Sequence, residues 1–208
     1  MNEESTIDTK MRSLIRSWGR GRIFFLEDFS VLNNPVSVRQ FICSMTDEGF
    51  VVRLARGIYC YPRIIDDPYS MKMALPDPET IAYSYAAREN VRIIPYGDQA
   101  ANKLGLCSMV VSNLKYLTDG SPRVINLSSD KKIYFNHTSE MKMFAYCNDT
   151  MQMLASSVRA LGAEYFNDEE IKRKVRMILQ SIPEEDYYKD IKLPPVWVGD
   201  ILNAIWDK

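Results

Sequence analysis

The sequence predicts an α+β fold, and three observations carry the prediction. Apolar spacing in the first sixty residues alternates between helical and strand periods. Charge divides the chain near residue 65. Beyond that point, short β-rich runs give way to long amphipathic ones.

The elements follow in order. Ile7, Met11, Leu14, Ile15 and Trp18 share one helical face, and Gly19 and Gly21 stop that helix. Arg22-Ile23-Phe24-Phe25 reads as a short strand. Leu26 to Phe29 fits one or two helical turns, and Asn33-Asn34-Pro35 is a break. Ser37 is expected to cap a third helix whose inward face is Val38, Phe41, Ile42 and Met45, with Gly49 ending it. Residues 50–54 alternate, with Phe50, Val52 and Leu54 on one face and Val51 and Arg53 on the other. Arg56-Gly57 is a tight turn, and residues 58–61 return as a strand. Helix, strand, helix, helix, strand, turn, strand is the order of a winged helix-turn-helix, assigned to residues 1–65.

Residues 66–208 are expected to form a mixed α/β domain with a helical tail. The polar, proline-containing stretch 66–78 marks the boundary. A helix follows over 78–90, then a strand at 91–94 and a short helix at 97–104 closed by Gly105. Strands are expected at 115–118, 123–127 and 132–136, then helices at 141–161, 168–180 and 196–206.

Composition excludes several classes. Of 208 residues, 46% are hydrophobic and 25% charged, as in ordinary globular domains and unlike disordered ones. The net charge of −1 gives no bulk attraction to nucleic acid or membrane. The distribution is uneven, however. Residues 10–63 carry nine basic and four acidic side chains, a net +5, and residues 66–208 carry a net −3. No apolar run approaches the roughly 18 residues of a membrane span. Met1-Asn2-Glu3-Glu4 lacks the basic start and apolar stretch of a secretory signal. Cys43, Cys60, Cys107 and Cys147 form no Cys-x-x-Cys pair. The expectation is a cytoplasmic protein with reduced thiols and no metal site.

Catalytic chemistry is thinly represented. His137 is the single histidine, so no multi-histidine metal site is possible. Phosphate-loop, dinucleotide and nucleophile-elbow motifs do not occur. Asp66-Asp67 and Glu184-Glu185-Asp186 read as solvated loops, because adjacent residues do not face each other. Gly97-Asp98 opens a short helix that can hold an anion, although Asp98 would repel one. The sequence therefore predicts no enzyme and no cofactor. The enzymatic alternative places a site in 76–140, with His137 or Asp98 as the acid–base group.

Double-stranded DNA is the expected partner. In a helix-turn-helix the second helix enters the major groove. With Val38, Phe41, Ile42 and Met45 inward, Val36, Arg39, Gln40, Cys43 and Ser44 remain outside. Arg39 suits guanine, Gln40 suits adenine, and Ser37 can reach a phosphate. Arg53 and Arg56 fall on the wing, and Arg20 and Arg22 flank the first strand near the backbone. The DNA-contact set is thus Arg22, Ser37, Arg39, Gln40, Ser44, Arg53 and Arg56. The alternative is a winged helix that docks a protein and binds no DNA; apolar Val36 and Cys43 speak for it.

A family resemblance adds to these readings. Ala55-Arg56-Gly57-Ile58-Tyr59-Cys60-Tyr61-Pro62-Arg63 resembles the Ala-Arg-Gly-x-Tyr-x-x-Pro wing of AbiEi-like antitoxins of type IV toxin–antitoxin (abortive infection) systems. Residues 95–106, Pro-Tyr-Gly-Asp-Gln-Ala-Ala-Asn-Lys-Leu-Gly-Leu, are a second match. Tyr116-Leu117-Thr118-Asp119-Gly120-Ser121-Pro122-Arg123 and Ile133-Tyr134-Phe135-Asn136-His137-Thr138 are a third. The ordered set covers roughly residues 10–140. The resemblance implies a winged helix that binds and represses the promoter of its own operon. It also implies a C-terminal domain that counteracts a nucleotidyltransferase-type toxin without forming a stable complex. By position, Arg56 and Gly57 fall on the family's wing and Arg39 and Gln40 on its recognition helix. An inverted-repeat operator would call for a homodimer, with half-sites spaced by about 34–36 Å. A stand-alone regulator without a toxin is the remaining alternative.

Overall fold

The computed structural model describes residues 3–67, 70–108 and 112–206 and shows an α+β chain. Contacts divide it into two compact units. Residues 1–85 with 125–131 form the first, and residues 86–124 with 132–208 form the second. The division differs from a single cut after residue 65: the first unit runs on to residue 85, and residues 125–131 return to it.

The first unit begins with α1 (Glu3–Trp18), whose Met11 and Ile15 are fully buried. Strand β1 (Ile23–Phe25) leads into a 3₁₀ segment, Leu26–Leu32. Helix α2 (Pro35–Asp47) follows, and then β2 (Val52–Ala55) and β3 (Ile58–Cys60). The three strands form an antiparallel sheet in the order β1-β3-β2, with Ile23 opposite Cys60 and Arg53 opposite Tyr59. Phe24, Phe29, Val38, Ile42 and Met45 join the two buried α1 residues in one core. Trp18 caps it, its ring 5.5 Å from Phe24 and 5.3 Å from Phe29.

The expected alternation over 50–54 holds only in part. Val51 is buried, not outward, because its N–H and that of Phe50 both bond Met45 O, so strand pairing begins one residue later. Gly21 is required where it stands: its φ is +91°, and a Cβ there would meet Arg63 Nε at 2.5 Å.

The stretch expected as a polar boundary instead forms a hairpin, β4 (Arg63–Asp67) against β5 (Ser70–Ala74). Asp66 and Asp67 therefore stand in a strand and not in a loop. Consecutive β-branched Ile64 and Ile65 supply the β preference that the neighbouring acids disguise.

Helix α3 (Pro78–Glu89) precedes the second sheet. That sheet has the order β6-β7-β9-β8, from β6 (Ile93–Pro95), β7 (Leu114–Thr118), β8 (Arg123–Asn126) and β9 (Lys132–His137). β6 is antiparallel to β7, and β7 is parallel to β9. Helix α4 (Asp98–Lys103) follows β6.

The helical tail comprises α5 (Asp149–Leu161), α6 (Glu169–Gln180), α7 (Glu184–Asp190) and α8 (Val196–Trp206). Leu154, Val158, Val175, Leu179, Val198 and Leu202 form its core. Tyr187 stacks on Trp206 at 4.2 Å and donates its hydroxyl to Asn203 Oδ1. The single helix expected over 141–161 is broken. A 3₁₀ turn, Met141–Phe144, ends before α5, and buried Asp190 accepts the N–H groups of Cys147 and Asn148 at 2.9 Å each. Glu184-Glu185-Asp186 opens α7 and is not a loop. Three acids in a first helical turn match the positive end of the helix dipole.

Candidate nucleic-acid interface

Helix α2 is held from below and bare above. Pro35 occupies its first position, where a missing N–H costs nothing. Asn34 caps it, the side-chain oxygen accepting the Ser37 N–H at 3.1 Å. The expected cap at Ser37 is thus corrected to Asn34. Ser37 lies one turn inside the helix and is only 9% exposed, so it leaves the outer face and the expected phosphate contact.

Val38, Ile42 and Met45 seat the helix on the core. The opposite face exposes Val36, Arg39, Gln40, Cys43 and Ser44, as the period of 3.6 requires. Arg39 and Gln40 stand near the N-terminal end with their polar ends in solvent. Ser44 stands near the other end and donates its hydroxyl to Glu48 Oε1 at 3.0 Å.

Glu48 is itself ion-paired. Arg12 Nη2 donates to both of its oxygens, at 3.0 and 2.8 Å, and Arg12 Nε bonds Asp8. The hydrogen bond from Arg12, then that from Ser44, holds the Glu48 carboxyl below its usual range. Burial opposes the Arg12 charge, but bonds to Asp8 and Glu48 outweigh it and raise its pKa. One Arg12 charge is thus shared by Asp8 and Glu48, so the C-terminal end of α2 keeps a net negative charge.

The arginines expected on a wing and beside the first strand divide in two. Arg53 and Arg56 are exposed on β2 and on the turn that Gly57, at φ +78°, makes possible. Arg53 Nε donates to Ala55 O at 3.4 Å, which leans that side chain along the turn. Arg22 is exposed at the opposite end of β3, where its carbonyl accepts the Tyr61 N–H. Arg20 stands there too, committed to Pro62 O at 2.9 Å and lying 4.7 Å over the Tyr61 ring. The structure thus brings Arg53 and Arg56 together and sets Arg22 apart from them.

Two features escape sequence reading. The outer edge of β2 is covered: Leu127 bridges Ala55, and the Ser128 N–H bonds Leu54 O at 2.8 Å while its hydroxyl bonds Arg53 O at 2.9 Å. The second is a groove of about 410 Å³ beside the N-terminus of α2, walled by Leu26, Phe29, Asn33, Asn34, Val38 and Arg39. The Asn33-Asn34-Pro35 break was the one visible sign of that groove.

His137 ends β9 in solvent, with Nδ1 2.8 Å from Gly120 O. Among the described residues, no three His, Cys, Asp or Glu side chains gather as a metal site, and no helix is long and apolar enough to cross a membrane.

A model described as a family of unknown function (DUF6088) matches residues 10–187. The chain belongs to the DUF6088 family. The match spans residues of both units of this DUF6088 protein, so the first and second sheets fall within one family pattern. No curated protein sequence matches it. Among solved structures, the crystal structure of the RV2827C protein from Mycobacterium tuberculosis is similar to the DUF6088 chain at 16% identity and a TM-score of 0.44, covering 96% of this chain and 81% of that one.

Proposed function

We propose that this protein is a cytoplasmic, sequence-specific DNA-binding antitoxin that represses its own promoter. The observation that carries the DNA-binding part is the face of α2. Arg39 and Gln40, side chains suited to guanine and adenine, project together from a helix whose other side is locked into a core. Arg53 and Arg56 are exposed on the β2–β3 hairpin, where they suit phosphate contact. The antitoxin role, opposed to a nucleotidyltransferase-type toxin without a stable complex, rests on the family resemblance alone.

Fluorescence anisotropy against a duplex of the upstream promoter, with a scrambled control and a salt series, tests the first part. Binding that prefers the promoter and weakens steeply with salt is the expected result. Equal, weak binding to both duplexes overturns it. Alkylation of Cys43, on the same face of α2, gives an independent footprint: promoter DNA should slow it. Co-expression with a nucleotidyltransferase-type toxin tests the second part: restored growth without co-purification is the expected outcome, and unrelieved toxicity overturns it.

A second reading, docking of a protein, has one observation in its favour. Val31 and Val36 are 71% and 72% exposed near the groove beside α2. Its signature would be a stable protein complex lost on Val36→Asp, with no promoter shift.

A further inference from the structure

The second unit holds a cavity of about 320 Å³ that the DNA-binding reading does not use. It opens near the carboxyl ends of the parallel pair β7 and β9, where ligands commonly sit in open α/β sheets. Leu117 comes from β7, and Thr138 directly follows β9. Helix α5 closes the other side with Ser156, Arg159 and Ala160.

The polar lining is rich in donors. Thr138 Oγ1 accepts the Glu140 N–H at 3.1 Å, and Ser156 Oγ accepts the Gly97 N–H at 3.3 Å. An accepting hydroxyl keeps its own proton to give. Arg159 adds a fixed positive charge with five N–H donors. A donor-rich lining calls for an acceptor-rich ligand.

One acceptor is already there. Arg159 Nη1 donates to Glu140 Oε2 at 3.2 Å and points at Met143 Sδ at the same distance. The Arg159 and Glu140 side chains are 37% and 44% exposed, so this ion pair is weak and easily exchanged. Leu117, Met143 and Ala160 offer apolar wall beside the charge.

We propose that this cavity binds a small organic oxyanion, a carboxylate or phosphate on a short apolar body, and that Glu140 is its intramolecular competitor. The carboxylate on Arg159 shows the kind of group the site accepts. An incoming anion takes over Arg159, meets the protons of Thr138 and Ser156, and releases Glu140 to solvent. The proposal stands independently of DNA binding.

Benzoate, phenyl phosphate and inorganic phosphate are the probes, titrated into the full chain while amide NMR signals of Gly97, Thr138 and Glu140 are followed. Benzoate or phenyl phosphate should give saturable shifts at these three amides, and the tighter of the two tells carboxylate from phosphate. Inorganic phosphate, lacking the apolar body, should bind more weakly. Arg159→Gln should weaken binding at least about tenfold. Glu140→Gln should tighten it about two- to fivefold, a gain that a merely structural ion pair would not produce. Both side chains are part-exposed, and retained signal dispersion shows that each variant folds. The proposal is overturned if no probe gives saturable shifts up to about 20 mM, far weaker than millimolar affinity. It is equally overturned if Arg159→Gln binds as the unaltered protein does, or if Glu140→Gln binds no more tightly.

Discussion

Helices α2 and α5 are built alike and used differently. Each has 13 residues and an asparagine cap, Asn34 on one and Asn148 on the other. Helix α2 buries Val38, Ile42 and Met45 along one stripe, with Ser37 beside it. Helix α5 buries Met151, Gln152, Leu154, Ala155, Ser156, Ser157 and Val158, which takes in most of its circumference. A helix buried nearly all round is committed to holding the fold. A helix buried on one stripe has residues to spare, and on α2 those are Arg39, Gln40 and Cys43. Stability and recognition are thus separable in α2 and entangled in α5.

The largest test of this contrast is Leu154→Ala in α5. Leu154 is fully buried, so the cavity left behind should cost about 2–5 kcal/mol of stability. Gln40→Ala on α2 removes only exposed atoms and should stay within about 0.5 kcal/mol. Denaturant unfolding of both variants measures the difference, and equal losses would break the comparison.

The next test reverses the ranking. Arg39→Ala should leave the unfolding midpoint unchanged while costing about 1–3 kcal/mol of promoter affinity and relaxing sequence preference. Arg56→Ala, at a phosphate-contact position, should weaken binding to all duplexes and lower the salt slope by about one. A salt series in anisotropy separates the two behaviours.

The same contrast explains what was legible in the sequence. The outward face of α2 was readable because one clean stripe, Val38, Phe41, Ile42 and Met45, fixes which side is left over. Its cap was misplaced by three residues, since Asn34 and Ser37 are both good caps and only the Pro35 position decides between them. The covering of β2 by Leu127 and Ser128 was not legible. It joins residues more than seventy apart, and no local period marks such a pairing. Helix α7 was hidden because its three acids look like solvated loop until the dipole they complement is known. The Arg159–Glu140 cavity was invisible for the same reason as the β2 edge: its walls come from β7, the end of β9 and α5.

The caps offer a smaller comparison. Asn148 accepts two N–H groups, from Thr150 at 3.0 Å and Met151 at 3.2 Å, whereas Asn34 accepts one. Each alanine substitution should cost about 0.5–2 kcal/mol, with Asn148→Ala the larger. Thermal melts at one pH suffice, and the reverse order would show that cap geometry does not set the cost.

At neutral pH the smallest effect belongs to the cysteines. Cys43 stands in solvent on α2, and Cys60 is buried in β3. Burial pushes the Cys60 thiol up to about 11 from an ordinary 9.0. A thiolate is the reacting form, so iodoacetamide at pH 8 should modify Cys43 promptly and leave Cys60 untouched until the chain unfolds. The same shift has a sign in stability. Between pH 9 and about 11 the unfolded chain has given up this proton and the folded chain has kept it. The unfolded state then binds fewer protons, and stability falls as pH rises. Below pH 9 both states hold the proton and Cys60 contributes no slope. Cys60→Ala should flatten the decline above pH 9 while lowering stability everywhere through the lost sulfur. An unchanged alkaline slope in that variant would assign the decline to other groups.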